Sequence, residues 1–243
     1  MAELKRFFVD SVGGVGEPVE LVGEEFEHAK NVLRISVGAE VVLLDNSGKE
    51  YTAVVSAVEK RKMSLNVVRE EVGEREAKTD ICLLFGYLKN ADKNEFIVQK
   101  AVELGVNEIG VFVSEFSSAY INENKLERLN RVAKEAAKQC LRSRVPTVKY
   151  YADFSSAIAA ANGYQNKIFA CEFAQTSDVQ LSEISGSTAL VVGSEGGFSR
   201  AEAEQATESG FAHVTLGKRI LRAETAAVAL TAVVAYALGE WER

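Results

Sequence analysis

Hydrophobic and polar positions alternate in short runs over the first third of the chain, then change period. The runs KRFFV (Lys5 to Val9), PVELV (Pro18 to Val22), AEVVLLD (Ala39 to Asp45), YTAVVSAV (Tyr51 to Val58) and MSLNVV (Met63 to Val68) are strand-like. Turns such as Asn46-Ser47-Gly48 and Glu59-Lys60-Arg61-Lys62 separate them. One helical segment, EEFEHAKNVLR (Glu24 to Arg34), interrupts the series. Short strands at this spacing predict a small β-barrel over residues 1–72. The polar stretch GEREAKT, residues 73–79, opens on glycine and reads as a linker to a second domain, residues 80–243. There a buried strand (Ile81 to Lys89), a helix ending at Gly105 and a strand, EIGVFVS, set up a βαβ rhythm, hence an α/β domain with a parallel sheet. An amphipathic helix is predicted from Asn124 to about Leu141, with Leu126, Leu129, Ala133, Ala136 and Cys140 on one face. Arg131, Lys134, Lys138 and Arg142 lie roughly opposite. A short helix (Phe154 to Ala161) and a strand (Lys167 to Glu172) follow.

Two short apolar runs near the end, Ser187 to Val192 and His213 to Leu216, are β-branched, and each leads straight into a glycine-containing loop. The loops are GSEGGFS (Gly193 to Ser199) and GKRILRAETA (Gly217 to Ala226), and each opens a helix. Ser199 with Glu202 three residues on has the form of a capping box. The last helix, from about Ala223, is apolar nearly all round and is expected to bury more than one face, against the sheet and a partner chain. Adjacent strand–loop–helix units place both loops at the carboxyl ends of parallel strands, where open α/β sheets bind ligands. No GK[ST] ending and no GxGxxG is present. The pattern alone therefore says either a ligand loop of unnamed ligand or a pair of tight turns feeding helices.

Composition narrows the surroundings. With 243 residues and 47% apolar content the chain suits one large or two smaller globular domains. No apolar run is long enough to span a bilayer, and the N-terminus lacks a signal-peptide core, so a cytoplasmic location is expected. Cys82, Cys140 and Cys171 form no CxxC, and with His28 and His213 the only histidines a metal site is not expected. The net charge of −7 argues against coating by nucleic acid. Locally the balance reverses: Lys125, Arg128, Arg131, Lys134, Lys138, Arg142, Arg144 and Lys149 face only Glu127 and Glu135. Such a patch suits contact with a polyanion; a wet helix face is the alternative.

GSEGGFS followed by LGKRILRAETA resembles the paired motifs of the SPOUT methyltransferases, and most closely the RsmE family of 16S rRNA (uracil-N3)-methyltransferases. HxxxVLR (His28 to Arg34), KxxDKxExxxQKxxELGV (Lys89 to Val106) and AxxQxxRxxxP, ending at Pro146, resemble the same family in the same order. Two departures stand out: Ser194 where proline is usual in the first loop, and Phe116 where arginine is common. The resemblance implies a PUA-like barrel followed by a trefoil-knotted SPOUT domain, a homodimer through the knot, and S-adenosylmethionine as cofactor. It implies a cofactor site from Glu172, Gly193, Glu195, Gly196, Gly197, Leu216, Gly217, Ile220 and Leu221, with Leu216, Ile220 and Leu221 walling the adenine. On the RNA side it implies His28, Arg34, Lys89, Lys93, Gln139, Arg142 and Arg144, and the basic helix face adds Arg131, Lys134 and Lys138. For His28, Val32 and Leu33 barrel packing is the alternative, and for Arg34, Lys89 and Lys93 a solvated charge.

Methylating uracil N3 requires loss of the imide proton and alignment of the nitrogen with the sulfonium methyl, with no covalent nucleophile. Arg222 is the expected cation for the developing anion, or else a structural arginine between the loops. Glu195 or Glu224 would take the proton. The expected substrate is 16S rRNA in the 30S subunit. The competing readings are a ribose 2′-O-methylating SPOUT enzyme, a non-catalytic RNA-binding assembly factor, and a nucleotide-binding α/β protein.

Overall fold

The computed structural model describes residues 4–242 apart from Glu172, Ala174 and Gln175. It divides into two compact units. The first comprises residues up to Glu76 together with Ala137–Val145. The second comprises Ala77–Ala136 and Pro146 onward.

The first unit is a five-stranded sheet in the order β1-β3-β4-β5-β2. The strands are β1 Lys5–Phe8, β2 Pro18–Leu21, β3 Glu40–Leu44, β4 Lys49–Val58 and β5 Met63–Val72. β1 runs parallel to β3 and the other pairings are antiparallel. Register shifts between Thr52 and Ala53 and between Val55 and Ala57 mark irregularities of the bulge type, which bend and twist the two long strands. That curvature encloses a core that includes Phe7, Leu21, Phe26, Leu43, Met63 and Leu65. Helix α1 (Gly23–Glu27) passes into one π-helical turn, His28–Val32. The helix predicted over this stretch is therefore present but underwound, as a π turn, at its end. His28 is half-buried with its ring edge-on to Phe7, centroids 6.2 Å apart, and Leu33 packs on the core. Val32 does not pack: it is exposed. Arg34 stands exposed in the left-handed region at φ 52°, where a non-glycine residue is uncommon.

Residues 137–145 correct the reading of the basic helix. Helix α3 (Glu123–Gln139) ends before Arg142, because Leu141 turns left-handed at φ 66° and the Arg142 N–H reaches back to the Ala137 carbonyl at 2.9 Å. Arg142 is thus not on the wet helix face but 3% exposed. Its Nε and Nη2 donate to Glu76 Oε2 at 3.1 and 2.8 Å. The other Glu76 oxygen accepts the Ser143 and Arg144 N–H groups at 2.8 and 2.9 Å. Burial raises the Glu76 pKa, but the Arg142 charge and hydrogen bond and the two backbone donors outweigh it, holding the carboxyl below its ordinary range. Lys138 is likewise engaged, at 2.6 Å from Glu25 Oε1. Arg144 donates to the Ser47 carbonyl at 2.8 Å.

The second unit is a six-stranded sheet, β11-β9-β10-β6-β7-β8, with every pairing parallel. Its strands are β6 Ile81–Gly86, β7 Glu108–Phe112, β8 Thr147–Tyr151, β9 Asn166–Ala170, β10 Thr188–Val192 and β11 Ala212–Val214. Helices α2 (Ala91–Glu103), α4 (Phe154–Ala160), α5 (Arg200–Glu208) and α6 (Ala223–Ala237) complete it with most of α3. β8 is not anticipated by the sequence pattern. It is an edge strand with Val148 its one buried side chain, tied to α3 where Asn130 both accepts from and donates to the Val148 backbone at 3.0 and 3.1 Å. The capping box predicted for α5 is present, Ser199 accepting from the Glu202 N–H and Glu202 from the Ser199 N–H. Phe112, Phe154, Phe169 and Phe198 share one core cluster, Phe198 lying 4.4 Å from Phe169 between ring centroids. α6 buries Ala227, Leu230, Thr231, Val234 and Ala235 and leaves Val233 and Tyr236 exposed. Among the described residues no helix is long and apolar enough to cross a membrane.

Removing Glu76 takes the carboxylate from Arg142, Ser143 and Arg144, so E76A should lower unfolding free energy by about 1–3 kcal/mol, measurable by urea denaturation. Because the Glu76 pKa is depressed, this stabilisation is complete above the ordinary carboxylate range and is lost as pH falls through the lowered value. The difference between wild type and E76A should therefore shrink on acidification.

Candidate functional site

Strand order decides where the site lies. From β6 the chain steps outward through β7 to the β8 edge, crosses back to β9, and returns to insert β10 between β9 and β6. Such a reversal opens a crevice at the carboxyl ends of the strands. The loops after β10 and β11, the end of β9 and the first turns of α2 and α6 converge on it. Together they line a cavity of about 910 Å³, a size suited to a small organic ligand.

The loop after β10 is held at backbone contact. Gly197 N–H closes a turn onto the Ser194 carbonyl at 3.0 Å. A Cβ at Gly86, where β6 ends, would lie 2.5 Å from the Ser194 nitrogen; one at Gly196 would lie 2.7 Å from Phe116 Cβ and 2.8 Å from its carbonyl oxygen. Glycine at these two positions is thus required by neighbouring protein atoms. Ser194, in the place where proline was expected, is 6% exposed, and its hydroxyl lies 3.4 Å from that of Ser114. At Gly217 the reverse holds: a Cβ would meet no atom within 4 Å, so the backbone there faces open space.

Gly193, Glu195, Gly196, Gly197, Leu216, Gly217, Ile220, Leu221, Arg222, Glu224 and Lys93 all line the cavity. Glu195 is exposed and accepts the Lys89 N–H at 3.2 Å. Lys93 Nζ lies 3.0 Å from Glu224 Oε1, bridging the first turns of α2 and α6. Burial raises the Glu224 pKa, yet its own backbone N–H, the Lys93 hydrogen bond and charge, and the Arg222 charge together hold it below the ordinary carboxylate range. Arg222 is exposed and forms no ion pair among the described residues. Ile220 is fully exposed on the cavity lining. The expectation for Glu172 falls on a residue outside those described. No cluster of metal-ligating side chains occurs among the described residues.

The cations expected to meet RNA separate into two sets. Arg34, Lys89 and Arg131 are exposed and form no ion pair among the described residues; Gln139 is exposed as well. Lys93, Lys138, Arg142 and Arg144 are committed to protein partners, and Lys134 is half-buried. Sequence reasoning missed Gly86, Lys218 and Arg219. The last two, like the rest of GKRILR, line the cavity, and the only signal for Gly86 was a glycine ending an apolar strand.

A family model described as an RNA methyltransferase domain matches residues 75–235, and one described as an RNA methyltransferase PUA domain matches residues 21–68. The ribosomal RNA small subunit methyltransferase E of Bacillus subtilis (strain 168) is 31% identical over 248 residues, covering 96% of each chain. That of Mesomycoplasma hyopneumoniae (strain 232) is 34% identical over 167 residues, covering 68% of this chain and 73% of its own. Among solved structures, a ribosomal RNA small subunit methyltransferase E from Neisseria gonorrhoeae bound to S-adenosyl methionine superposes with a TM-score of 0.85 at 30% identity, covering 97% of this chain and 98% of that one.

If backbone contact fixes the loop, G86A should cost about 2 kcal/mol and speed amide hydrogen exchange at Ser194 to Gly197. G163A, where a Cβ meets nothing within 4 Å, should change neither. Equal behaviour of the two variants would remove the contact argument.

Proposed function

The chain belongs to the RNA methyltransferase family that includes ribosomal RNA small subunit methyltransferase E, and on that premise we propose that it methylates N3 of a uridine in 16S rRNA of the small ribosomal subunit, using S-adenosylmethionine. The observation that carries the reading is the cavity between the loops after β10 and β11, in a chain whose whole length follows these relatives. The residues present fit that cofactor. Space beside Gly217 is open, Leu216 and Leu221 supply apolar surface, and backbone groups of the loops together with Glu195 supply polar partners. When bound it presents a methyl group on a sulfonium leaving group.

What the protein contributes is position and charge. The rigid turn Ser194–Gly197 keeps the Glu195 carboxylate at the cavity mouth. A uracil imide entering beside it must lose its N3 proton. Glu224 is a poor acceptor, since its neighbours hold it ionised and paired with Lys93. Among the described residues Glu195 accepts only the Lys89 backbone N–H, and it is the better base. Arg222, exposed on the same cavity, would stabilise the negative charge that spreads to the uracil carbonyl oxygens. The threading of the chain as a trefoil knot, assembly as a homodimer that covers exposed Val233 and Tyr236 of α6, and RNA contact by Arg34, Lys89 and Arg131 belong to the same proposal.

Calorimetric titration with S-adenosylmethionine, followed by nucleoside analysis of undermodified 30S subunits after incubation, tests it. Binding and 3-methyluridine are the expected results; 2′-O-methyluridine, or no cofactor binding, would refute the assignment. For the base, E195Q should reduce kcat at neutral pH by about a hundredfold or more and recover as alkaline pH ionises the imide unaided. Cofactor affinity should fall far less than kcat. A full-rate E195Q beside an inactive E224Q would reverse the roles given to the two carboxylates.

A further inference from the structure

The half-exposed ring of Phe116 stands on a turn that has little reason to be so firmly held. Ser117 N–H bonds to the Ser114 carbonyl at 3.0 Å, and the Ser114 N–H bonds to the Ser117 hydroxyl at 2.9 Å, closing residues 114–117 from within. The Glu115 N–H donates to Glu202 at 2.9 Å, a carboxylate that also caps α5 and is 8% exposed. The Ser114 hydroxyl reaches toward Ser194 of the cavity loop, and the Phe116 backbone lies against Gly196. The turn is therefore tied to α5 on one side and to the cavity loop on the other. Between those ties it carries a phenyl side chain that is 50% exposed, with Tyr120 of the same loop 80% exposed.

Core packing does not explain this arrangement, because half of the ring remains in water. A rigid aromatic face is, however, what a displaced nucleobase requires. A base whose ring nitrogen is to react must leave its stack, and the lost stacking is restored by an aromatic side chain at the site. The geometry points to Phe116 as the stacking platform for a nucleobase of the RNA substrate, next to the cavity wall formed by Gly196. This rests on the RNA-methyltransferase reading above. It adds a positioning residue that acts on the RNA without a charge, where the committed lysines and arginines act within the protein.

Steady-state methylation of undermodified 30S subunits by F116A, F116L and F116Y, with cofactor affinity measured by calorimetry, tests the assignment. F116A and F116L should lose tenfold or more in kcat/KM, F116Y should stay within about threefold of wild type, and all should bind S-adenosylmethionine within twofold of wild type. Full activity of F116L would show that apolar bulk suffices and overturn the platform. So would loss of cofactor binding in F116A, which would make the ring a prop for Gly196, or an F116Y as impaired as F116A. Failure of the unmutated protein to bind cofactor or methylate RNA would instead remove the enzyme reading itself, and this inference with it.

Discussion

Backbone meeting backbone at Gly86 and Gly196 is the constraint on which the site rests. The loop after β10 has no side chains where it is most crowded, so it is seated against β6 on one side and the 114–117 turn on the other. Phe198, one residue beyond it, is sunk among Phe112, Phe154 and Phe169 and fixes the loop to the core. Ser199 then caps α5. Within seven residues the chain passes from sheet to turn to core to helix, and each step is satisfied locally. A loop shaped in advance loses little entropy when a ligand arrives, which is the general advantage of preorganisation.

Charge is distributed by a different logic. The protein is acidic overall, and its carboxylates take up many of the cations that a linear reading would leave for RNA. Glu25 holds Lys138, Glu76 holds Arg142, and Glu224 holds Lys93. Arg34, Lys89 and Arg131 remain exposed with no ion pair among the described residues. Affinity for a polyanion from such a surface depends on few phosphate contacts, so shape and stacking carry more of the recognition.

How far the sequence was legible follows from the range over which each feature is determined. The capping box at Ser199 and Glu202, the strands of the first unit and the two loops of the cavity are set by neighbours within a few residues, and all could be read directly. The end of α3 could not. A leucine at φ 66° gives no signal of a helix stop, and the acid that claims Arg142 lies 66 residues earlier. β8 escaped notice because an edge strand of TVKYY buries one side chain and shows no continuous apolar run. The crowding of Gly196 against Phe116, and of Gly86 against Ser194, joins residues that no spacing rule connects.

The enrolment of residues 137–145 in the first unit has a consequence for biosynthesis. Emerging from the ribosome, the amino-terminal sheet can pair its strands once Val72 is out, but its carboxylate clamp stays empty until Arg142 follows. For that interval Glu76 lacks the guanidinium and the backbone donors that engage it in the finished fold. A gene fragment cut at the apparent linker would make that interval permanent, so the excised amino-terminal unit would need its missing nine-residue return segment supplied, in cis or as a peptide, to reach full stability.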